Sequence, residues 1–433
     1  MISKSLFYIL TFQLLLFINV FSGNIMIKAL NKDRFTIISE SILKQNPLSM
    51  DAIVRKYKLN AMKKSSFIFY RATAHIYFED FYNKFLEVPK NWLSSDYTSW
   101  IQGDFHLQNV GFFESDSKIV FHLNDFDESY KSYFYLDIIR LISSIYLVGD
   151  NLKEKSSKKD LDLIAKSFLD SYVQTFKSNP SSIESLPKKL KKLEKKLLEK
   201  KTQLLLLNKW TKVINDQRSF NFGLEKLNKL DKNLQDSLKS ALSNDFQVKD
   251  IAIRMYSGLG SLGVEKYYFL DEGSDIDNSD DKIFEIKEQT KPSCIQKKED
   301  LEKYQKEFSS NAKRAKIATS FLLPFDTDYK TIEVNNKSYG IKEISPYKDG
   351  IDSFKKLSSL NKYCSYLGHL LAHSHIHSTK KDIDIDSDLF YKKSLAFLSK
   401  KENIKLLLEI SKKYAQQVET DHSIFKHMML YKN

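Results

Sequence analysis

The sequence predicts an α+β protein of two lobes, and three observations predict it. Helical periodicity fills the beginning and the end of the chain, short alternating strands fill residues 251–343, and polar motifs fall in both textures. With 433 residues, 42% of them hydrophobic and 13% aromatic, the chain can bury one large core or two lobes. Its 12 Gly and 7 Pro exclude low-complexity and collagen-like classes.

The elements follow in order. Residues 1–23 read as a signal peptide: Lys4, an apolar run over 6–21 broken by Thr11, Gln13 and Asn19, then the small residues Ser22 and Gly23. An uncleaved N-terminal anchor is the runner-up and a buried first helix the bland alternative. The chain is therefore expected to be exported, periplasmic or secreted, or else anchored by this segment. No later segment is long and apolar enough to span a bilayer.

Residues 37–57 and 66–85 have helical spacing, and Phe67, Tyr70, Ala74, Tyr77, Phe78 and Phe81 make one aromatic face of the second. A short segment over 97–101 leads to a Gly-Asp motif, 119–123 reads as a strand, and 137–148 as a buried helix. The Lys-rich stretch 187–210 reads as one amphipathic helix with a charged outer face, placed as a lid or insertion. Strands are expected at 251–256, 264–270 and 283–287, and 331–334 is expected to pair with 339–343. A polar, acidic loop covers 274–281, and helices are expected at 300–322, 363–378 and 401–427. The division is a helical lobe over 24–245, a strand-rich lobe over 246–345, and helices over 346–433 that complete the first lobe.

Charge and cysteine content narrow the class. The net charge of +13 comes mostly from Lys spread over polar faces, which reads as solvated helix surface and not as a nucleic-acid site. Cys294 and Cys364 form neither a metal-type nor a redox-type pair and are expected to be ordinary thiols.

Chemistry concentrates in two places. In Gly103-Asp104-Phe105-His106-Leu107-Gln108-Asn109 an acid precedes an amide by five residues, and Asn124-Asp125-Phe126-Asp127-Glu128 brings further acids sixteen residues on. Phosphoryl transfer needs such a set: one carboxylate orients or deprotonates the attacking hydroxyl, while an amide oxygen and another carboxylate hold Mg²⁺. The second place is the loop carrying Gly258, Gly260, Ser261 and Gly263, where missing side chains let backbone amides approach phosphate oxygens. Strands on both sides fit a kinase-type loop, whereas a dinucleotide-binding motif opens a helix. Lys287 ends the next strand and is the candidate phosphate-binding lysine, with Glu302 or Glu307 of the following helix as its acid partner. His369, His373 and His377 share one helix face near His375; polar surface or local hydrogen bonding is preferred there to a zinc site.

The spacing of Asp104 and Asn109 resembles the catalytic loop of aminoglycoside-phosphotransferase-like kinases. The resemblance implies Asp104 as base, Asn109 and Asp125 as Mg²⁺ ligands, Asp127 as a supporting or second-metal ligand, and Asp137 as a structural acid. Gln102 stands where those enzymes usually have His, which leaves the role of His106 open. Over about residues 60–425 the chain also resembles the bacterial domain of unknown function 2252 family. The signatures are Phe67-Ile68-Phe69-Tyr70-Arg71, the two acidic motifs, the glycine loop, Ile286-Lys287-Glu288, Leu371-Ala372-His373-Ser374-His375, and Tyr414-Ala415-Gln416-Gln417 with Asp421. Ala72 departs from the usual Gly after the Arg. Arg71 is a candidate phosphate or carboxylate partner. Together these imply a protein-kinase-like two-lobe fold with its motifs in permuted order. The implied activity is ATP- and Mg²⁺-dependent transfer of a phosphoryl group to a hydroxyl of a sugar, small molecule or protein. AMP transfer by the same cleft and a non-catalytic nucleotide-binding module are the rival readings.

Overall fold

The computed structural model describes residues 25–430 except 116–117, 149–151, 153, 181, 259–262, 275–277 and 352, and over 25–33 it describes the backbone alone. The proposed signal segment therefore lies outside the described residues. No described helix is long and apolar enough to cross a membrane.

The chain begins with four helices: α1 (Ile25–Gln45), α2 (Ala52–Met62), α3 (Ser66–Arg71) and α4 (Ala74–Tyr82). The two long helices expected here are each broken. Asp51 caps α2 by accepting from the Ile53 and Val54 amides, and Ala72 and Thr73 interrupt the second, so that Arg71 ends α3. Two short antiparallel pairs follow. β1 (Thr98–Ile101) pairs with β4 (Tyr130–Tyr133), and β2 (Val110–Ser115) pairs with β3 (Lys118–Leu123). The two acidic motifs are the turns between these strands, β1 to β2 and β3 to β4.

Helix α5 (Tyr135–Leu147) is buried on nearly all sides and centres the largest core, with α6 (Lys158–Ser178), α12 (Leu357–Lys381), α13 (Ser387–Ser399) and α14 (Lys401–Leu430) around it. Arg34 ties α1 in: it ion-pairs with Asp80 of α4 and Asp421 of α14, both at 2.5 Å, and Tyr414 donates to Asp80 at 2.8 Å. Tyr414 and Asp421, singled out in the sequence, therefore hold the frame. The Lys-rich stretch expected as one helix is two, α7 (Lys188–Lys200) and α8 (Gln203–Trp210). Lys201 is extended, and Thr202 caps α8 through the Leu205 amide.

A six-stranded antiparallel sheet forms the other lobe, in the order β11-β12-β10-β9-β8-β7. Its strands are β7 (Leu227–Asn228), β8 (Val248–Arg254), β9 (Lys266–Asp271), β10 (Lys282–Glu288), β11 (Lys330–Val334) and β12 (Lys337–Glu343). β10 is central, so both faces are covered and alternation separates two small cores. Phe284 and Ile286 pack with Leu238 and Leu242 of α9 (Lys232–Leu242), whereas Ile283 packs with Leu207 and Trp210 of α8 and with Phe220 of the hairpin β5 (Thr211–Ile214) and β6 (Gln217–Phe220). Between β10 and β11 the expected single helix is again two, α10 (Lys298–Glu307) and α11 (Asn311–Leu322). Ser310 caps the second by accepting from the Lys313 amide. Residues 207–242, which the sequence division assigns to the helical lobe, thus carry side chains that pack on the sheet, because Leu207, Trp210, Phe220, Leu238 and Leu242 cover its two faces.

Candidate active site

The β1–β2 loop is fixed by the helical lobe. Gln102 and Gly103 donate their amides to the two oxygens of Asp137 on α5, at 2.7 and 2.9 Å, and Asp137 meets His375 of α12 at 3.2 Å. Gly103 has φ +85°, and a Cβ there would fall 2.1 Å from the Glu128 carbonyl oxygen, so no larger residue fits. Gln102 answers the departure noted in the sequence. Its Oε1 accepts the Asp104 amide at 2.8 Å, while its Nε2 donates to the carbonyls of Asn124 and Asp125 at 3.0 and 2.7 Å. One buried amide side chain therefore links both acidic loops.

Asp104 is gripped by Arg140 of α5, whose Nε donates at 2.7 Å and whose Nη2 donates to the same oxygen. The guanidinium is fully buried and lies over the rings of Tyr70 and Tyr77 at 4.2 and 5.1 Å. Burial pushes the Asp104 carboxyl up to about 7, with Arg140 pulling the other way. His106 lies 3.7 Å from the second Asp104 oxygen, and its Nδ1 accepts the Gln108 amide. Burial, then Arg71 and Arg140, hold its pKa well below the usual value, so it is a neutral neighbour. Arg71 donates to Gln108 Oε1 at 2.6 Å, which places it beside this loop. Asn109 donates its Nδ2 to the Asp104 carbonyl at 2.9 Å.

The β3–β4 loop is held by the end of β10 and by the segment that follows it. Asp125, at φ +60°, pairs with Lys287 of β10 at 2.8 Å, and Lys287 also pairs with Asp127. Gln289 donates to Asp127 at 3.1 Å, and Glu128 accepts from the amide and hydroxyl of Ser293 at 2.6 and 3.0 Å. Arg314 of α11, fully buried, donates to the carbonyls of Phe126, Ser129 and Thr290 at 2.7, 3.1 and 3.0 Å. Burial works against the Asp125 charge, but Lys287, Lys266 and Lys342 hold its carboxylate well below the ordinary range. Burial also opposes the Lys287 ammonium, which Asp125, Asp127 and Glu285 keep charged.

The expected acid partner of Lys287 is corrected. Glu302 lies by exposed Lys298 at 3.8 Å, and Glu307 pairs with Lys131 at 2.7 Å, because Tyr304 and Phe308 seat this end of α10 against Trp100 and Tyr130. On the histidine face the hydrogen-bonding alternative holds and the surface alternative does not: α12 is central and His369 and His375 are buried. His369 bonds Thr175 and the Glu184 amide at 3.0 and 2.8 Å, and His375 bonds Tyr172 at 2.9 Å. No group of three His, Cys, Asp or Glu suited to a metal occurs among the described residues. Cys294 and Cys364 are free and buried.

A cavity of about 560 Å³ brings Asp125, Asp127 and Lys287 together between the sheet, α11 and the β2–β3 hairpin. Asp104 and Asn109 stand on the adjoining loop, joined through the Asn124 amide and the Asn109 carbonyl at 3.0 Å. Gly258 and Gly263 take positive φ between β8 and β9, whereas Gly260 and Ser261 lie outside the described residues. Two lysines escaped the sequence reading. Lys266 faces Lys287 across the β9–β10 register, and Lys342 lies one strand away on the same face. Ile341-Lys342-Glu343 repeats Ile286-Lys287-Glu288, a signal that would have found the second. Asp125 and Asp127 bring oxygen donors to the cavity, the donor type that a hard cation such as Mg²⁺ prefers. Lys287 competes for the same carboxylates.

No curated protein matches the chain, and no solved structure does. One family profile matches residues 52–428, which span both acidic loops, the glycine loop and Lys287. The chain belongs to DUF2252, the family described as an uncharacterized protein conserved in bacteria.

Proposed function

We propose that the protein is a phosphotransferase of protein-kinase-like, two-lobe architecture with its motifs in permuted order, moving a phosphoryl group from ATP·Mg²⁺ to a hydroxyl. The observation that carries this reading is the 2.8 Å ion pair between Lys287 of the sheet and Asp125 of the helical lobe. It brings a candidate phosphate-binding lysine onto candidate metal-binding acids, although 162 residues separate them in sequence. Strand order adds support. In protein kinases the lysine stands on the third strand, after the two that the glycine-rich loop joins. Here β8 and β9 flank the glycine loop and β10 carries Lys287. The difference is that two aspartates occupy the lysine in place of a helical Glu.

In this reading Asp104 orients the attacking hydroxyl and takes its proton, with Arg140 fixing the carboxylate. Bound Mg²⁺ would neutralise phosphate charge, held by Asp125, Asp127 and Asn109. Lys287 contacts phosphate oxygens, and Arg71 stands on the acceptor side of the loop. Positioning and charge carry such catalysis, since the protein forms no covalent bond to the group transferred.

The test is ATP·Mg²⁺ binding and label transfer by the chain from residue 24 onward. Label at the γ-phosphate should move to an acceptor and label at the α-phosphate should not; transfer from the α position would replace the proposal with AMP transfer. Asp104→Asn should cut turnover by about 10²–10⁴-fold while nucleotide binding survives. Lys287→Ala should weaken both, and Asp125→Ala should remove metal-dependent binding. Full turnover in Asp104→Asn would end the proposal.

A further inference from the structure

We infer that Lys342 and Tyr329 form an anion subsite on the strand-lobe side of the cavity, which takes phosphoryl oxygens of the bound nucleotide. This inference rests on the nucleotide reading and adds two residues that neither acidic motif implicates. Lys342 faces the cavity from β12, and its ammonium lies 4.9 Å from the Tyr329 ring centroid and 5.5 Å from that of Phe126. It makes no hydrogen bond or ion pair among the described residues. The Tyr329 hydroxyl makes none either, although the residue is only 6% exposed.

The placement of Tyr329 depends on Gly340. An added Cβ at Gly340 would fall 1.8 Å from the Tyr329 oxygen, so the glycine lets that hydroxyl reach the strand. Gly340 is the register partner of Lys287, and Lys342 is the partner of Glu285. The Tyr329 hydroxyl and both lysines are thus gathered on one sheet face.

The nearby acids do not serve these donors. Asp125 and Asp127 are engaged by Lys287. Glu285 lines the same cavity, yet Lys348, Lys266 and Lys287 stabilise its charge against burial, and it forms no ion pair with Lys342. Burial lowers the Lys342 ammonium to about 8, although Asp125 and Asp127 favour its charge. Burial raises the Tyr329 phenol, so it stays protonated and remains a donor. A cation and a hydroxyl that line one face of the cavity with no protein acceptor are left to find that acceptor in a ligand. An oxyanion supplies it, and the neighbouring Lys287 and Asp125 make a phosphoryl group the fitting one.

Calorimetric titration of the parent chain, Lys342→Met and Tyr329→Phe tests this, with pyrophosphate in metal-free buffer and with ATP·Mg²⁺. Pyrophosphate and ATP·Mg²⁺ should each bind about tenfold or more weakly to Lys342→Met and about threefold more weakly to Tyr329→Phe. Lys342→Arg should retain affinity, and if Lys342→Met does not fold Tyr329→Phe decides the matter, unchanged binding overturning the subsite. If both ligands bind Lys342→Met as tightly as the parent, the subsite is wrong. If the parent binds ATP·Mg²⁺ but not pyrophosphate, and Lys342→Met leaves the former unchanged, the subsite falls and the nucleotide reading stands. If the parent binds neither, both fall. Loss of pyrophosphate binding alone identifies the free anion as the ligand and overturns the assignment to nucleotide.

Discussion

The two acidic loops carry the same kind of side chain but are held in opposite ways. Residues 102–109 are fastened by Asp137, Arg140 and Ser144, all on one buried helix of the helical lobe. Residues 124–129 are fastened mostly by the later chain, by Lys287 and Gln289 at the end of β10 and by Ser293 and Arg314 beyond it. The first loop is therefore held by one helix close to it in sequence, and the second by partners 162 to 188 residues away. Gln102 joins the two through its side chain, and the Asn124 amide joins them again at the Asn109 carbonyl. In chemical terms, the proposed base is prearranged and the proposed metal acids depend on distant partners.

If that contrast is right, removing the anchor of the first loop should cost most. Asp137→Ala leaves two buried amides without their acceptor and deprives His375 of its carboxylate, an expected loss of about 3–5 kcal/mol of stability. Chemical denaturation should show it as a lower midpoint with an unchanged slope. A loss below about 1 kcal/mol would mean that the loop does not need its helix. Arg314→Met should cost less, about 2–3 kcal/mol, because three carbonyls lose donors and the methionine still fills part of the space. Its effect on function should differ in kind: weaker ATP·Mg²⁺ binding, with the pH dependence assigned to Asp104 left in place. Equal damage to both properties would dissolve the distinction between the loops.

The same contrast explains what could be read in advance. The first loop was legible because its acid, amide and glycine are local in sequence, and Asp137 follows on the next helix. The sheet was legible from alternation, as in Ile283 to Lys287, where two charges interrupt an otherwise apolar strand. Long-range partners were not. Arg140 looks like any residue of an apolar helix until it meets Asp104, and Arg314 reaches the loop from 188 residues away. The helix breaks at Thr73, Thr202 and Ser310 were also missed. Each is one residue of low helical preference within a periodic run, too little to outweigh the pattern around it. Helical spacing also cannot tell that Tyr304 and Phe308 pack on Tyr130, or that Lys287 meets Asp125 and Asp127.

The smallest expected effect separates the two loops by titration. Burial raises the Asp104 carboxyl from its ordinary 3.8 to about 7 despite Arg140, whereas Lys287 and its neighbours keep Asp125 ionised far below that range. As the proposed base, Asp104 could take a proton from the hydroxyl only when ionised. Turnover should therefore rise with pH through about 7 and fall about tenfold per unit below it. Stability runs the other way. A folded-state pKa raised above the unfolded one contributes stability below the unfolded value, and that contribution is lost as pH rises through about 7. The chain should thus become slightly less stable over the window in which it becomes more active. A kcat/KM profile and denaturation midpoints measured across that window check both signs. Lys287→Met should leave the inflection near 7, since it removes the charge that pairs with the other loop. A profile that shifts with Lys287→Met, or one flat from pH 5 to 9, would show that the base is not the prearranged Asp104.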